Sequence, residues 1–381
     1  MNRIQAAIGI TLACTLTSLL SACSVAGVSL PAGTNKLSAT SSDTANPSAT
    51  SQSTAAVVQV SAAKQAETTQ LGIEVDWHTV GPRQYVVQTA DRVFNYVVSL
   101  GANSVALTFP IFTNGVHPNQ VYAASGSTPS PQALSWVIDE ATARGLRVMI
   151  RPVIDETNID DSKGDWRGSI EPPSISTWFA SYTKFLQPYA QIAQEDKVSY
   201  FVVGTELASL EWQTTQWADL DAALAKIYTG QLEYADNWGN WQQDQSYHPA
   251  QLIGLDAYPK LQVPAKATVA ELTDAWIAWL HSHSDAVLST TALIEVGIAA
   301  TPGAYTNPAL WASSSEPLDV AIQNNWFAAA CHAAQDVDLP GIYYWEVDSN
   351  ANPAQAATYN AGSFIGRGDS AIKQCFSGWT S

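Results

Sequence analysis

Eight short runs rich in β-branched and aromatic residues, each followed by a longer amphipathic stretch, order the chain from Leu71 onward. They cover residues 71–77, 104–109, 147–155, 199–206, 231–238, 252–258, 291–297 and 341–348. Intervals of roughly 30–50 residues between such runs are those of βα units in a parallel sheet. Between the first two, Val86, Ala90, Val93, Phe94, Val97 and Val98 recur at helical spacing. Trp178, Tyr182, Phe185, Leu186 and Tyr189 mark a later helix, and Trp276, Trp279 and Leu280 another, with their tryptophans expected in the core. Gly101 falls where the first of these helices, and Gly145 where the next helix along the chain, must end in a left-handed residue. Eight such units predict an α/β chain folded as one (β/α)₈ TIM barrel over residues 68–381. A doubly wound open sheet is the alternative, but no glycine-rich phosphate loop follows the first strand. The barrel makes a demand on function: working residues should sit at the C-terminal ends of strands.

The residues ahead of the barrel read as an address. Arg3 precedes a mostly apolar segment, and Leu20-Ser21-Ala22-Cys23 sets small residues before a cysteine. Residues 1–22 resemble a bacterial lipoprotein signal, with Cys23 as the lipidated residue; a plain secretory signal is the competing reading. A membrane-spanning anchor fits less well, because the apolar run is short and broken by Thr and Ser. Residues 23–67 are rich in Ser, Thr and Ala and lack aromatics, so a flexible tether is expected. The expected location is therefore an exported lipoprotein on the extracytoplasmic side, at a bacterial cell surface or in a periplasm. The lipid would be its sole membrane contact. Cys331 and Cys375 then remain, and an exported chain with two cysteines invites a disulfide joining the last two helices. Two buried free thiols are the alternative.

Seventeen Lys and Arg against thirty-four Asp and Glu give a net charge of −17, which disfavours nucleic acid as a partner. No cofactor or metal is expected: two cysteines without a neighbouring histidine pair make no zinc signature, and His281 and His283 sit at a polar helix end. Fourteen Trp and fourteen Tyr suit packing, and they equally suit the faces of sugars. The strand ends are loaded with such groups: Glu74-Val75-Asp76-Trp77-His78, Arg151-Pro152-Val153-Ile154-Asp155, Gly204-Thr205-Glu206, Asp236-Asn237-Trp238, Asp256-Ala257-Tyr258, Glu295, and Trp345-Glu346-Val347-Asp348. Carboxylates among tryptophans fit polyol chemistry, with rings stacking on C–H faces while acids and amides bind hydroxyls. Glu206 and Glu295 stand out, since glycoside hydrolysis commonly uses two carboxyl groups on opposite sides of the bond. Ion pairing inside the barrel mouth is the structural alternative for either.

Those segments carry a resemblance. Residues 145–152 (GLRVMIRP), 165–168 (DWRG), 178–182 (WFASY), 203–207 (VGTEL), 236–238 (DNW), 254–259 (GLDAYP) and 294–297 (IEVG) make the chain resemble glycoside hydrolase family 113. These are β-mannanase-like members of the retaining (β/α)₈ clan, and the likeness runs from about residue 72 to 366. It implies Glu206 as acid/base and Glu295 as nucleophile, hydrolysing a β-linked polysaccharide, most closely an endo-β-1,4-mannan. Under that mechanism Arg151 and Tyr258 are expected to support Glu295 through charge and hydrogen bonding, and Trp345 to floor the reacting subsite. Trp77, Trp166 and Trp238 would be further platforms, with Asp76, Asp155, Arg167, Asn237, Asp256 and Glu346 binding hydroxyls. A retaining pair should sit about 5–5.5 Å apart. Val153 stands where the family tends to have His, Thr205 precedes the acid where most of the clan has Asn, and Ile294 replaces the usual Thr. Hydrolysis of another glycan, such as glucan, xylan or a cell-surface polymer, and glycan binding without catalysis are the other readings. A monomer is expected.

Overall fold

The structure, a computed structural model, describes residues 69–157, 164–243, 252–310, 317–355 and 363–379. The expected signal segment, the tether and Cys23 lie outside the described residues. Eight parallel strands close in chain order into a barrel: β1 (Gln70–Asp76), β2 (Ser104–Asn114), β3 (Arg147–Thr157), β4 (Tyr200–Thr205), β5 (Gln231–Asn237), β6 (Leu252–Asp256), β7 (Thr291–Val296) and β8 (Gly341–Asp348). The helices are α1 (Arg83–Ser99), α2 (Pro131–Thr142), α3 (Ile175–Glu195), α4 (Thr214–Leu224), α5 (Trp238–Gln242), α6 (Val269–Leu280), α7 (Asp285–Leu288), α8 (Val320–Asp336) and α9 (Asp369–Trp379). This is the expected (β/α)₈ barrel. Strand ends agree with the sequence reading within one or two residues except at β2, which runs five further. It continues because β3 runs on beside it, in register through Asn114↔Thr157.

Alternation along each strand divides the barrel into two packed regions. Leu71, Ile73 and Val75 of β1, with Val86, Val93, Phe94 and Val97 of α1, belong to the large core between barrel and helices. Val98 is the exception to the helical pattern, 41% exposed on the solvent side of α1. A smaller cluster fills the inside of the barrel: Ala106, Met149, Val202, Ala235, Ala292, Ile294 and Tyr343, all on strands. The two strands contributing no side chain to that cluster carry glycine there. A Cβ on Gly72 would lie 2.0 Å from Cδ1 of Tyr343, and one on Gly254 2.2 Å from Cδ1 of Ile294. Small positions on β1 and β6 therefore admit the large side chains of β8 and β7.

Gly101 and Gly145 adopt φ of 88° and 78° just past α1 and α2, as the helix ends require. Trp178, Trp276 and Trp279 are buried among the helices. Cys331 in α8 and Cys375 in α9 form a disulfide, with Cα atoms 5.8 Å apart, tying the last helix to the one before it. His283, at the polar helix end, is half-buried there: its ring stacks on Trp241 with centroids 3.8 Å apart.

Candidate active site

Strand pairing is irregular at three places, and each lies beside a residue of interest. On β4, the register jumps from Val202↔Glu233 to Gly204↔Tyr234, so Val203 is an extra residue. On β7, Leu255↔Leu293 is followed by Asp256↔Glu295, leaving Ile294 extra. On β8, Ile73↔Tyr344 is followed by Val75↔Val347, so Trp345 and Glu346 together face Glu74; the peptide bond between them is cis. A bulge bends a strand and re-aims the side chain that follows it. Strict alternation from inward Ile294 would turn Glu295 out toward the helices. The bulge instead pairs it with Asp256, within the barrel mouth.

Glu295 is held from both oxygens. Arg151 Nη1 lies 2.8 Å from its Oε2, and Tyr258 Oη donates to its Oε1 at 2.5 Å. Arg151 is 1% exposed and also meets Glu74 Oε1 and Asp256 Oδ2, each at 2.5 Å. Glu74 in turn accepts from Thr108. One buried cation thus faces three carboxyl groups, and it cannot neutralise them all. Burial pushes Glu74 up to about 7 against the pull of Arg151. Burial likewise lifts Asp256 well above the ordinary carboxylate range, again against Arg151, with Glu295, Glu206 and Glu74 adding to the rise. Glu295 is also raised by burial, while Arg151 opposes the rise, Glu206 adds to it and the Tyr258 bond lowers it.

Glu206 follows the β4 bulge with φ of 53°, the left-handed region, and its N–H donates to Ala235 O at 2.8 Å. Its carboxylate accepts from Arg167 Nη1 at 2.8 Å and from Asn237 Nδ2 at 2.7 Å. Arg167 opens a short 3₁₀ turn after β3 and bonds Ile154 O through Nε, which fixes its reach. Asn237 ends β5, and its Oδ1 accepts from Gly239 N–H at the start of α5, orienting the amide. Glu206 and Glu295 thus stand in one mouth, close enough that the charge of Glu206 helps raise the Glu295 carboxyl.

The remaining sequence-derived residues divide. Asp76 bonds His78 Nε2 at 2.6 Å, and that bond raises the imidazole pKa against burial, with Asp348 and Asp155 adding to it. Glu346 is buried beside Asp76, Asp348 and Glu295; burial first, then those charges, lifts it well above the carboxylate range. A neutral carboxylic acid there is a hydrogen-bond donor. Trp345 is half-buried, with an Nε1 that has no partner among the described residues. Trp166 is half-buried and leans over Gly168, where a Cβ would meet its ring at 2.3 Å. Trp238, also half-buried, carries Lys260 Nζ 5.5 Å from its ring centroid.

Trp77 is the correction. It is 0% exposed, donates through Nε1 to Thr79 O, and stacks on Phe94 of α1, so it is no sugar platform. Alternation contained the signal: Trp77 shares its face with Leu71, Ile73 and Val75. The same rule puts Glu74 on the inward face with Asp76, yet Glu74 was passed over as a site residue. Glu211 was missed as well. It is 1% exposed, accepts from Tyr234 Oη at 2.9 Å and Asn240 Nδ2 at 2.9 Å, and is raised by burial. Tyr234 Oη also accepts from Leu207 N–H, the residue after Glu206.

The model of Glycoside Hydrolase Family 113 matches residues 75–366. Among solved structures, the GH113 β-mannanase AaManA from Alicyclobacillus acidocaldarius in complex with ManMIm superposes with a TM-score of 0.68 at 20% identity, over 82% of this chain and 98% of its own. A GH113 β-1,4-mannanase complex gives 0.67 at 18% identity, over 81% and 99%. The endo-β-1,4-mannanase from Thermotoga petrophila gives 0.54 at 10% identity, over 83% and 77%. At these identities the superpositions speak to the fold alone. No curated protein matches the sequence significantly. The family match, by contrast, is one of sequence and runs from the end of β1 to beyond β8. On that match the chain belongs to Glycoside Hydrolase Family 113, and it is a glycoside hydrolase.

Proposed function

We propose that the protein cleaves a β-linked polysaccharide, β-1,4-mannan before others, by double displacement with retention of configuration. Glu295 is the nucleophile and Glu206 the acid/base. The observation that carries the assignment is the contrast in how the two are held. Arg151 and Tyr258 are buried, and they fix both oxygens of Glu295 from the floor of the mouth, as an attacking carboxylate needs. Asn237 holds one oxygen of Glu206, but Arg167, which holds the other, has a side chain 27% exposed, so a proton or a sugar hydroxyl can replace it. In the first step Glu206 gives its proton to the glycosidic oxygen as the C1–O bond breaks, and a Glu295 oxygen bonds C1. In the second, Glu206 takes a proton from water, whose oxygen attacks C1 and displaces Glu295. The proton returns to Glu206 and the enzyme is restored.

Val153 favours a second reading, the same chemistry on another β-glycan. It shares the inward face of β3 with Met149 and Arg151, is half-buried, and offers no hydrogen bond to a hydroxyl. Reducing-sugar release from β-mannan, glucomannan, β-glucan, xylan and chitosan separates the readings, with Glu295→Ala as the blank. Release from mannans alone supports the first reading, and release from another polymer the second. A first-formed product of inverted anomeric configuration, seen by proton NMR, would overturn the mechanism. We further propose that the chain works at the outer face of a membrane, held there by a lipid on Cys23.

A further inference from the structure

The loop joining β4 to α4 turns nearly every side chain inward. Leu207, Leu210, Glu211 and Gln213 are buried, whereas Trp212 is 63% exposed, the most exposed large apolar side chain among the described residues. The loop is also pinned. Ser209 N–H donates to Gly168 O at 2.9 Å, Ser209 Oγ donates to Ile170 O at 2.6 Å, and Leu210 O accepts from Trp217 Nε1 at 2.9 Å. Glu211, gripped by Tyr234 and Asn240, anchors the residue just before Trp212. Trp212 Nε1 donates to Ser209 O at 2.7 Å. Its one polar side-chain atom is thus spent inside its own loop, and what it leaves exposed is apolar ring surface. A ring so held loses little conformational freedom on binding, and an indole face is complementary to the C–H face of a pyranose.

Its place relative to the chemistry follows from contacts. Glu206 Oε2 meets Arg167, the neighbouring Gly168 carbonyl accepts from Ser209, and the Ser209 carbonyl accepts from Trp212. Trp166 leans over that same Gly168. Two indoles therefore flank the stitched loops that carry Glu206. In the proposed mechanism the acid/base stands on the side of the departing sugar, the side on which rings beside Glu206 would meet the leaving chain.

We propose that Trp212 is a stacking platform for a sugar of the leaving chain, beyond the one Glu206 protonates. The inference rests on the assignment of Glu206 as acid/base and extends it to substrate length. The test compares wild type, Trp212→Ala and Trp212→Phe, as full-length chains, on β-1,4-mannan and on an aryl β-mannobioside, whose leaving group has no further sugar. Retention of each protein in gels containing β-1,4-mannan is the second readout. Trp212→Ala should lower the ratio of kcat/KM for polymer over aryl glycoside about tenfold, mainly through KM, and weaken retention. Trp212→Phe should recover most of both. An unchanged ratio with unchanged retention overturns the platform, as does an equal loss on both substrates, which would mark a structural residue. A wild type that is not retained by mannan overturns it too. If wild type is retained yet releases no sugar, and Trp212→Ala loses the retention, the platform stands and the hydrolytic reading falls.

Discussion

At the level of single residues, Glu233 shows what the barrel interior does to a carboxyl group. It is 1% exposed, its Oε2 has no partner among the described residues, and its neighbours include Gly254 and the apolar interior cluster. Burial pushes it up to about 8 although Arg151 pulls the other way. An acid raised in the folded state keeps its proton where the unfolded chain has lost it. Stability from this group is therefore intact below about pH 4.5 and falls as the pH rises toward 8. At about 1.4 kcal/mol per tenfold change in proton affinity, the loss at pH 7.5 is a few kcal/mol. Glu233→Gln, which cannot ionise, should melt several degrees above wild type at pH 7.5 and close to it at pH 4, by calorimetry. The proposed pair of catalytic carboxylates is open to test by substitution. Glu206→Ala should cut turnover of polysaccharide by about 10²–10⁴-fold, the span of general acid catalysis. It should spare the first step for aryl glycosides with good leaving groups. Comparable loss on both would remove Glu206 from the acid role.

Among the elements, strands supply the groups and irregularities aim them. Each of β4, β7 and β8 carries an extra residue near its C-terminal end, beside Glu206, Glu295 and the Trp345–Glu346 pair. The helices do different work. Helix α9 follows the last strand and packs on α8, where the 331–375 disulfide fastens it. A closed loop of 44 residues restrains the unfolded chain by about 2–4 kcal/mol. The pair Cys331→Ser, Cys375→Ser should accordingly lower the denaturant midpoint while leaving the kcat of the folded protein near wild type, since neither cysteine touches the mouth. A midpoint equal to that of the oxidised wild type would show that the bond contributes nothing.

For the whole molecule, a barrel with its mouth at one end and a lipid at the chain start would place an enzyme beside large, immobile glycans. Cys23→Ser should abolish incorporation of labelled fatty acid and shift the protein from the membrane pellet to the soluble fraction. Continued labelling would place the lipid elsewhere. The strongly acidic character of the chain fits this role, since a neutral polysaccharide needs no electrostatic steering and a negative surface discourages association with anionic lipid headgroups.

The eight-unit alternation, the helix-ending glycines and the carboxylates that close the strands could all be read along the chain. They depend on local periodicity, on backbone sterics and on which residues close each strand. The direction in which those residues point could not be read so, because alternation holds only while the register is unbroken. Trp77 obeyed the rule and went to the core with Ile73 and Val75. Glu295 escaped it, because the extra Ile294 is absorbed only when β7 pairs with β6 and β8. The sharing of Arg151 among Glu74, Asp256 and Glu295 likewise joins four strands distant in sequence. Such a pairing arises from closure of the barrel, which brings β1, β3, β6 and β7 around one buried charge.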